Sequence, residues 1–282
     1  PFIFGPAGGG QKSPAAFREY FGQAWDVEKK REKVSDLLLK FNPACKTMLR
    51  NAASVWVSNP DTKALVQKSG ASSVQYTLDA ALSKSFFPNN FEPKVSKPGV
   101  LRLLWVGRLM PRKGVLLLLD VMKKLQHLPG ITLTMVGDGE QRSILVDAIK
   151  SHGLEDTVFW KGKVPFSQVK DYYHSHDAFF FTSLRDSCPA QLIEAMAYGM
   201  PVITLNLHGQ AIIVNDETGF RCACDTPAEA IEALTQAILS LYNTPELLTT
   251  MSRAAHSFAL KQTWDYKIQT ITTTSYPLEK EQ

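Results

Sequence analysis

Residues 101–136, LRLLWVGRLMPRKGVLLLLDVMKKLQHLPGITLTMV, contain the pattern that decides the fold. Their two ends, 101–106 and 131–136, are short apolar runs that predict β-strands. Between them, residues 114–125 have the length and the apolar content of a helix that covers a sheet. A strand, a helix and a second strand in this order predict a parallel pair of strands in an α/β domain.

The same alternation continues beyond residue 136. Further strands are predicted at 157–160, 177–181, 201–204 and 220–222. Further helices are predicted at 141–151, 166–175, 189–198, 227–242 and 245–258. Repeated units of this kind predict a Rossmann-like, doubly wound parallel sheet, in which ligands bind at the carboxyl ends of the strands.

The first part of the chain carries a shorter version of this pattern. Strands are predicted at 54–58 and 73–77, with a helix at 61–68 between them. Residues 15–49 are helix-like, with an interruption at Pro43. This part therefore resembles a piece of a second α/β domain with parallel strands.

The prolines after residue 87 suggest a linker between two domains. Pro88, Pro93 and Pro98 punctuate a segment with no strand or helix pattern. The chain starts with PFIFGPAGGG, a strand entering a glycine-rich turn, so we expect it to begin inside a domain. The predicted organisation is a partial N-terminal domain at 1–88, a linker at 89–99, a complete C-terminal domain at 100–261, and a crossing helix with a tail at 262–282.

Composition limits the classes of function. The 282 residues are 44% hydrophobic and 21% charged, which is typical of a globular protein. A net charge of +4 suits phosphate ligands or an anionic membrane surface, and it does not specifically indicate nucleic-acid binding. No apolar run approaches the ~18 residues of a membrane span. The four cysteines lack a metal-ligand spacing, so we interpret them as reduced thiols of a cytoplasmic protein.

A basic cluster lies in the helix-like region, at Lys29, Lys30, Arg31 and Lys33. Such a cluster permits a peripheral contact with acidic lipids at the cytoplasmic membrane face. A solvated helix face explains the same residues without any ligand. The sequence alone leaves both interpretations open.

The loop after strand 101–106 carries the first candidate site residues. It has the sequence GRLMPRKG, at 107–114. Arg108 offers a planar fork to phosphate oxygens, and Lys113 offers a compact ammonium group. Both lie where strand-end loops and helix amides gather anions. A solvated basic loop is the alternative, because Walker-type and dinucleotide fingerprints are both absent.

Two further strand-end loops carry weaker signals. The turn Gly137-Asp138-Gly139 permits tight backbone geometry near a ligand, and a simple turn with Asp138 as a helix cap explains it equally well. In the loop at 161–165, backbone groups near Val164 are placed to pair with a nucleobase edge. An ordinary turn is the alternative there.

Residues 182–199, TSLRDSCPAQLIEAMAYG, place the carboxylates of Asp186 and Glu194 on a loop and a predicted helix. At ~1.5 Å per helical residue they are at most ~12 Å apart, comparable to an extended sugar nucleotide. Ser187 and Cys188 mark a helix start whose unpaired amides can meet a sugar or a phosphate. Without a ligand, Asp186 is a helix-dipole carboxylate and Glu194 a surface residue. Apolar neighbours favour a partner for Glu194, and a ribose diol would serve.

Arg108, Lys113, Asp186 and Glu194 together resemble the donor-site pattern of family 4 glycosyltransferases (glycosyl transferases group 1), which are retaining enzymes of the GT-B fold. The resemblance covers about residues 101–266. It rests on four segments in the family's order and spacing: VGRLMPRKG, MVGDGE, DAFFFTSLRDSCPAQLIEAMAYGMPVIT and IIVNDETGF.

The resemblance implies a role for each of these residues. Arg108 and Lys113 hold the donor diphosphate, Glu194 holds the ribose, and Asp186 occupies the first position of the family's E-x7-E pair. The family normally has Glu there, so Asp186 is shorter by one methylene. We expect Asp186 and Glu194 along one edge of the donor pocket, and Arg108 and Lys113 along the opposite edge. The remaining donor-binding residues implied are Gly107, Gly137, Val164, Ser187, Cys188 and Ala190.

The implied reaction moves a sugar from a nucleotide-diphosphate donor to a sugar, lipid-linked or other hydroxyl acceptor, with retention of configuration and without a metal or other cofactor. Arg108, Lys113 and Asp186 are the expected catalytic residues. FGPAGGGQKSP and SVWVSN look like the later part of the family's acceptor-side domain, so we expect its earlier part to be missing. A donor-binding module without catalysis and a GT-B sugar-nucleotide epimerase are the alternatives. A nicotinamide oxidoreductase is disfavoured, because the Gly-x-Gly-x-x-Gly turn is absent.

Overall fold

The computed structural model describes residues 2–275, which form two parallel β-sheets and the helices that pack on them. The strands are β1 (Ile3–Ala7), β2 (Ser54–Val57), β3 (Val74–Tyr76), β4 (Leu101–Val106), β5 (Ile131–Val136), β6 (Val158–Trp160), β7 (Ala178–Phe181), β8 (Val202–Leu205) and β9 (Gly219–Cys222). The helices are α1 (Ala24–Phe41), α2 (Pro43–Asn51), α3 (Pro60–Lys68), α4 (Val115–Leu125), α5 (Arg142–Ser151), α6 (Phe166–Ser175), α7 (Ala190–Ala197), α8 (Gln210–Ile213), α9 (Pro227–Asn243), α10 (Pro245–Leu260) and α11 (Trp264–Ser275).

The larger sheet has six strands in the order β6-β5-β4-β7-β8-β9. All of its neighbouring strands are parallel. From β4 the chain forms β5 and then β6 at one edge of the sheet. It then returns to the other side of β4, where β7, β8 and β9 follow in order. This is the doubly wound arrangement, and it confirms the predicted α/β fold class.

The larger sheet is covered on both faces, as its apolar strands require. Phe179, Phe180 and Phe181 are consecutive and fully buried in β7. Phe180 packs in one core cluster with Trp105, whereas Phe179 and Phe181 pack in the other with Leu104. Successive side chains of a strand point to opposite faces, so one short run supplies both cores.

The smaller sheet has three parallel strands in the order β1-β2-β3. Between β1 and α1, a 3₁₀ segment, Ala15–Phe21, leaves this sheet and joins a core of the larger one. Phe17 is fully buried there, and the Tyr20 hydroxyl donates a 2.8 Å hydrogen bond to Asp120. Residues before the predicted linker thus contribute to the core of the larger sheet.

Helix α11 connects the two sheets at the other end of the chain. The Lys267 ammonium donates hydrogen bonds to the carbonyls of Leu78 and Ala80. The indole nitrogen of Trp56 donates to the Ser275 hydroxyl at 3.0 Å. The crossing helix therefore packs against the part of the chain that carries the smaller sheet.

The helix-like region predicted at 15–49 is divided in the structure. The 3₁₀ segment precedes α1, and Asn42 then separates α1 from α2 by accepting a 3.0 Å hydrogen bond from the Cys45 amide. The four-residue helix α8 has no counterpart in the sequence prediction. Within residues 2–275, no helix combines the length and the apolarity needed to cross a membrane. Of the crossing helix and tail predicted at 262–282, residues 276–282 lie outside the described residues, and the domain boundaries stay predictions.

Candidate functional site

The candidate site lies at the carboxyl edge of the larger sheet, where four strand-end loops meet. Hydrogen bonds between backbone groups tie these loops together. The Leu109 amide donates to the Asp138 carbonyl at 3.1 Å, and the Leu184 amide donates to the Arg112 carbonyl at 2.8 Å. The loops follow β4, β5, β6 and β7, and they contain residues 107–114, 137–141, 161–165 and 182–189.

Lys113 is a buried cation at the centre of this edge. It ends the 3₁₀ turn Pro111–Lys113, and Gly114 follows it in the left-handed conformation. Only 5% of the Lys113 surface is exposed, and its ammonium lies 2.5 Å from the carboxylate of Asp186. Burial lowers the pKa of Lys113, and the Asp186 carboxylate opposes that shift. The structure thus holds a buried positive charge with one main ionic partner.

Asp186 accepts several hydrogen bonds on the same side of the site. Besides Lys113, it accepts bonds from Arg112 and from the Ser183 hydroxyl, each at 3.3 Å. The expectation that Asp186 and Lys113 lie on opposite edges of the pocket is therefore wrong, because the two side chains are in direct contact. A loop after β4 and a loop after β7 are adjacent in the sheet, which explains the contact.

Arg108 and Arg112 differ in their surroundings. Arg108 is exposed, and within residues 2–275 it has no hydrogen bond or ion pair. Arg112 donates to the Arg185 carbonyl at 3.0 Å and also contacts Asp186. Sequence reasoning chose Arg108 and missed Arg112. The available signal was its position directly before Lys113 in the same basic loop.

Glu194 lies on the first turns of α7, with most of its side chain buried. One carboxylate oxygen accepts a 2.8 Å hydrogen bond from the Tyr173 hydroxyl of α6. Burial raises the pKa of Glu194, and the bond from Tyr173 opposes the shift. Sequence reasoning expected a partner for Glu194 and did not find Tyr173. The second carboxylate oxygen has no partner in the described chain, so it is available to a ligand.

The start of α7 carries Ser187, Cys188 and Ala190. The Ser187 hydroxyl accepts a 3.0 Å hydrogen bond from the Asn59 side chain, at the end of β2. Burial, followed by the neighbouring Asp79, raises the pKa of the Cys188 thiol to about 12. Side chains at this helix start thus face the smaller sheet. Their backbone amides have no acceptor within the part of the chain that the structure describes.

Gly107, Gly137 and Val164 complete the set of predicted residues. Gly137 has a φ of +130°, and a Cβ atom added to it would strike the Gly107 carbonyl. The two loops therefore approach as closely as glycine allows. Val164 is partly buried against the core beneath the edge. All the predicted donor-site residues belong to strand-end loops or to α7, and their roles stay predictions.

We predict that Glu194→Gln stabilises the fold at neutral pH. Because burial raises the pKa of Glu194 above its ordinary value of 4.5, the folded state holds this proton more tightly than the unfolded state. Its contribution to stability is complete below that value and is lost as pH rises through the raised pKa. Glutamine does not titrate, so the Tm of the variant should exceed that of the wild type increasingly as the pH rises from below 4.5 towards neutrality.

Thermal unfolding across this pH range measures the difference. Glu140→Gln is the control, since Glu140 is exposed and should change Tm little at any of these pH values. A Tm difference for Glu194→Gln that does not depend on pH would contradict the prediction.

The chain belongs to the glycosyl transferases group 1 family, which it matches over residues 86–258. This match covers more than half of the chain and all of the loops described above. It agrees with the GT-B family that the four sequence segments resemble.

Curated relatives support the same family. The chain is 29% identical over 185 residues to a glycogen synthase of Mycobacterium tuberculosis, covering 65% of this chain and 43% of that protein. It is 31% identical over 170 residues to an uncharacterized glycosyltransferase of Haemophilus influenzae, covering 58% of this chain and 46% of that one. The chain thus spans less than half the length of these curated relatives.

The fold is similar to that of a solved structure, HepE of Anabaena in complex with UDP-glucose. The TM-score is 0.66, with 20% sequence identity over 86% of this chain and 68% of that one. At this identity the likeness concerns the fold, which is a GT-B glycosyltransferase fold.

Proposed function

We propose that this chain binds a nucleotide-diphosphate sugar and forms the donor half of a retaining glycosyltransferase of family 4. The observation that carries the proposal is the buried Lys113, paired with Asp186 beside the amides that begin α7. A diphosphate would bring negative charge to this cation and to these amides. Glu194 would bind the ribose through the carboxylate oxygen that Tyr173 does not use.

The proposed chemistry is stabilisation of charge on the leaving diphosphate. Lys113 and Arg108 supply positive charge where the bond between sugar and phosphate breaks, and charge fixed in advance is most effective at that step. Asp186 positions Lys113 and contacts the sugar. The leaving phosphate accepts the proton of the acceptor hydroxyl on the same face of the sugar, which gives retention of configuration. These groups need no metal ion.

The donor and the acceptor are proposed only as chemical classes. HepE was solved with UDP-glucose, which supports a nucleotide sugar as the donor. The glycogen synthase relative and a glycosyltransferase of amylovoran biosynthesis from Erwinia amylovora support a hydroxyl of a growing polysaccharide as the acceptor. The proposed acceptors also include a lipid-linked hydroxyl. The proposed location is the cytoplasm or the cytoplasmic face of the membrane.

A donor-binding module without catalysis is the second candidate. It is favoured by the family match, because residues 86–258 contain all of the predicted donor-site residues. Transfer of a labelled sugar from the nucleotide-sugar donor to a panel of hydroxyl acceptors separates the two candidates, because only the transferase moves the label. Conversion of the labelled donor into an isomeric nucleotide sugar would instead indicate an epimerase.

We predict that Arg108→Ala weakens the binding of nucleoside diphosphates by about tenfold, which is the lower end of the about 1.5–3 kcal/mol that a hydrogen bond to a charged group contributes. Arg108 is exposed in the structure, so its removal leaves no unpaired partner in the fold. Calorimetry with UDP, GDP and ADP gives the dissociation constant for each nucleotide.

The matched control is Arg253→Ala, an exposed arginine on α10. It should leave the dissociation constants unchanged. Undiminished binding by Arg108→Ala would remove Arg108 from the site, and absence of binding by the wild type to all three nucleotides would overturn the proposed function.

A further inference from the structure

Glu28 is a buried carboxylate that the proposed chemistry does not use. It lies on α1, and only 8% of its surface is exposed. It accepts hydrogen bonds from the Ser13 hydroxyl at 2.8 Å and from Arg31 at 2.9 Å. It also forms an ion pair with Arg185, with 2.6 Å between the charged atoms. Arg185 is 157 residues away in the sequence.

Arg185 directly precedes Asp186 in the loop after β7. One guanidinium nitrogen of Arg112 donates both to the Arg185 carbonyl, at 3.0 Å, and to the Asp186 carboxylate, at 3.3 Å. The backbone at Arg185 and the side chain of Asp186 are thus fixed by one group. A displacement of Arg185 would therefore also displace Asp186 from its place beside Lys113.

The ion pair with Glu28 opposes repulsion between like charges. Burial lowers the pKa of Arg185, as do the positive charges of Arg31 and Arg112, and Glu28 opposes these effects. Without Glu28, three guanidinium groups would share this space with no carboxylate between Arg31 and Arg185. A partly buried charge that has lost its partner moves toward water or destabilises the fold.

We propose that Glu28 is a positioning residue for donor binding. It holds Arg185 and so sets the position of Asp186, which in turn fixes the Lys113 ammonium that meets the donor diphosphate. The proposal rests on the proposed function of this edge. The new element is a contact from α1 that contributes to donor affinity. Helix α1 lies outside the matched family region at 86–258.

Glu28→Gln tests the role, because it removes the charge and keeps the size of the side chain. We expect the dissociation constants for UDP, GDP and ADP to rise by about fivefold for each nucleotide that the wild type binds. The control is Glu32→Gln, one turn further along α1. Glu32 is also buried, accepts bonds from the Ser13 amide and from Lys29, and does not contact Arg185. It should change affinity by less than about twofold.

A double-mutant cycle with Arg185→Gln separates positioning from a general loss of structure. We expect Arg185→Gln alone to raise the dissociation constant by a similar factor, and the double variant to be no weaker than either single variant. If Glu28→Gln does not fold, Arg185→Gln carries the test, and unchanged affinity in it overturns the proposal.

Three other results would count against the role of Glu28. Equal losses in Glu28→Gln and Glu32→Gln would make the effect structural and overturn the proposal. Normal binding by both the wild type and Glu28→Gln would overturn the positioning role and leave the proposed function intact. Absence of nucleotide binding by the wild type would instead overturn the proposed function, and this inference with it.

Discussion

Lys113→Met should weaken the binding of nucleoside diphosphates by about 10- to 100-fold, because a charge-assisted hydrogen bond to phosphate contributes about 1.5–3 kcal/mol. Lys113 is buried and its position is fixed by Asp186, so little side-chain freedom is lost when a phosphate binds. The variant also leaves the Asp186 carboxylate with Arg112 and without Lys113. That carboxylate would then repel the diphosphate more strongly.

The pH dependence of binding provides an independent test of Lys113. Since burial lowers the pKa of this lysine, its charge is lost at a lower pH than that of an ordinary lysine with a pKa of 10.5. Affinity in the wild type should therefore fall as pH rises through the lowered pKa. Lys113→Met has no charge to lose, so its weaker affinity should be unchanged over the same alkaline range.

Lys94→Met is the matched control for Lys113→Met. Lys94 is also buried, and burial lowers its pKa to about 8. Its ammonium donates to the carbonyls of Tyr173 and His174, at the end of α6. This variant should lower Tm without changing nucleotide affinity. Calorimetry showing equal losses of affinity in the two variants would mean that Lys113 acts through the fold and not through the phosphate.

Much of the larger sheet could be predicted because its strands are buried on both faces. Such strands are continuous apolar runs, so the sequence signal is local and strong. The predicted bounds of β4 and β5 are those of the structure, 101–106 and 131–136. Glycine and proline punctuation then placed the loops, and the rule for doubly wound sheets placed the candidate site at their carboxyl edge.

The contacts within the site could not be predicted in the same way. Lys113 and Asp186 are 73 residues apart, and their pairing depends on β4 and β7 being neighbours in the sheet. The sequence gives the order of strands along the chain and not across the sheet. The family resemblance led us to expect Asp186 and Lys113 on opposite edges of the pocket, and the observed strand order, with β4 beside β7, corrects that expectation.

The segment before α1 shows a second limit. The helix-like region contains the aromatic residues Phe17, Tyr20 and Trp25. Their pattern predicts that these side chains are buried, and it does not predict which part of the protein they pack against. In the structure they join the core of the larger sheet, while Leu37 and Phe41 of the same region are exposed. This packing places Glu28, on the α1 helix that follows the segment, in contact with Arg185. The packing of one segment against the larger sheet therefore determines which carboxylate contacts the loop after β7.

Gly137→Ala should produce the largest loss of stability among the variants proposed for this chain. Gly137 has a φ of +130°, a conformation that alanine rarely adopts. Its added Cβ atom would also strike the Gly107 carbonyl, which is backbone and cannot rotate away. The strain and the overlap together should cost at least about 3 kcal/mol. For a chain of this size, that corresponds to a fall in Tm of about 6–12 °C.

Gly153→Ala separates the two causes in this prediction. Gly153 has a φ of +67°, and a Cβ atom added there meets no other atom within 4 Å. The free energy of unfolding of Gly153→Ala should fall only by the cost of the left-handed backbone conformation, about 1–2 kcal/mol. Gly107 and Gly137 directly follow the adjacent strands β4 and β5 at the carboxyl edge of the larger sheet. Because Gly137→Ala pushes these two loops apart, it should also weaken nucleotide binding, whereas Gly153→Ala should not. Equal Tm losses in the two variants, with equal affinities, would show that the close approach of these loops contributes neither to stability nor to the site.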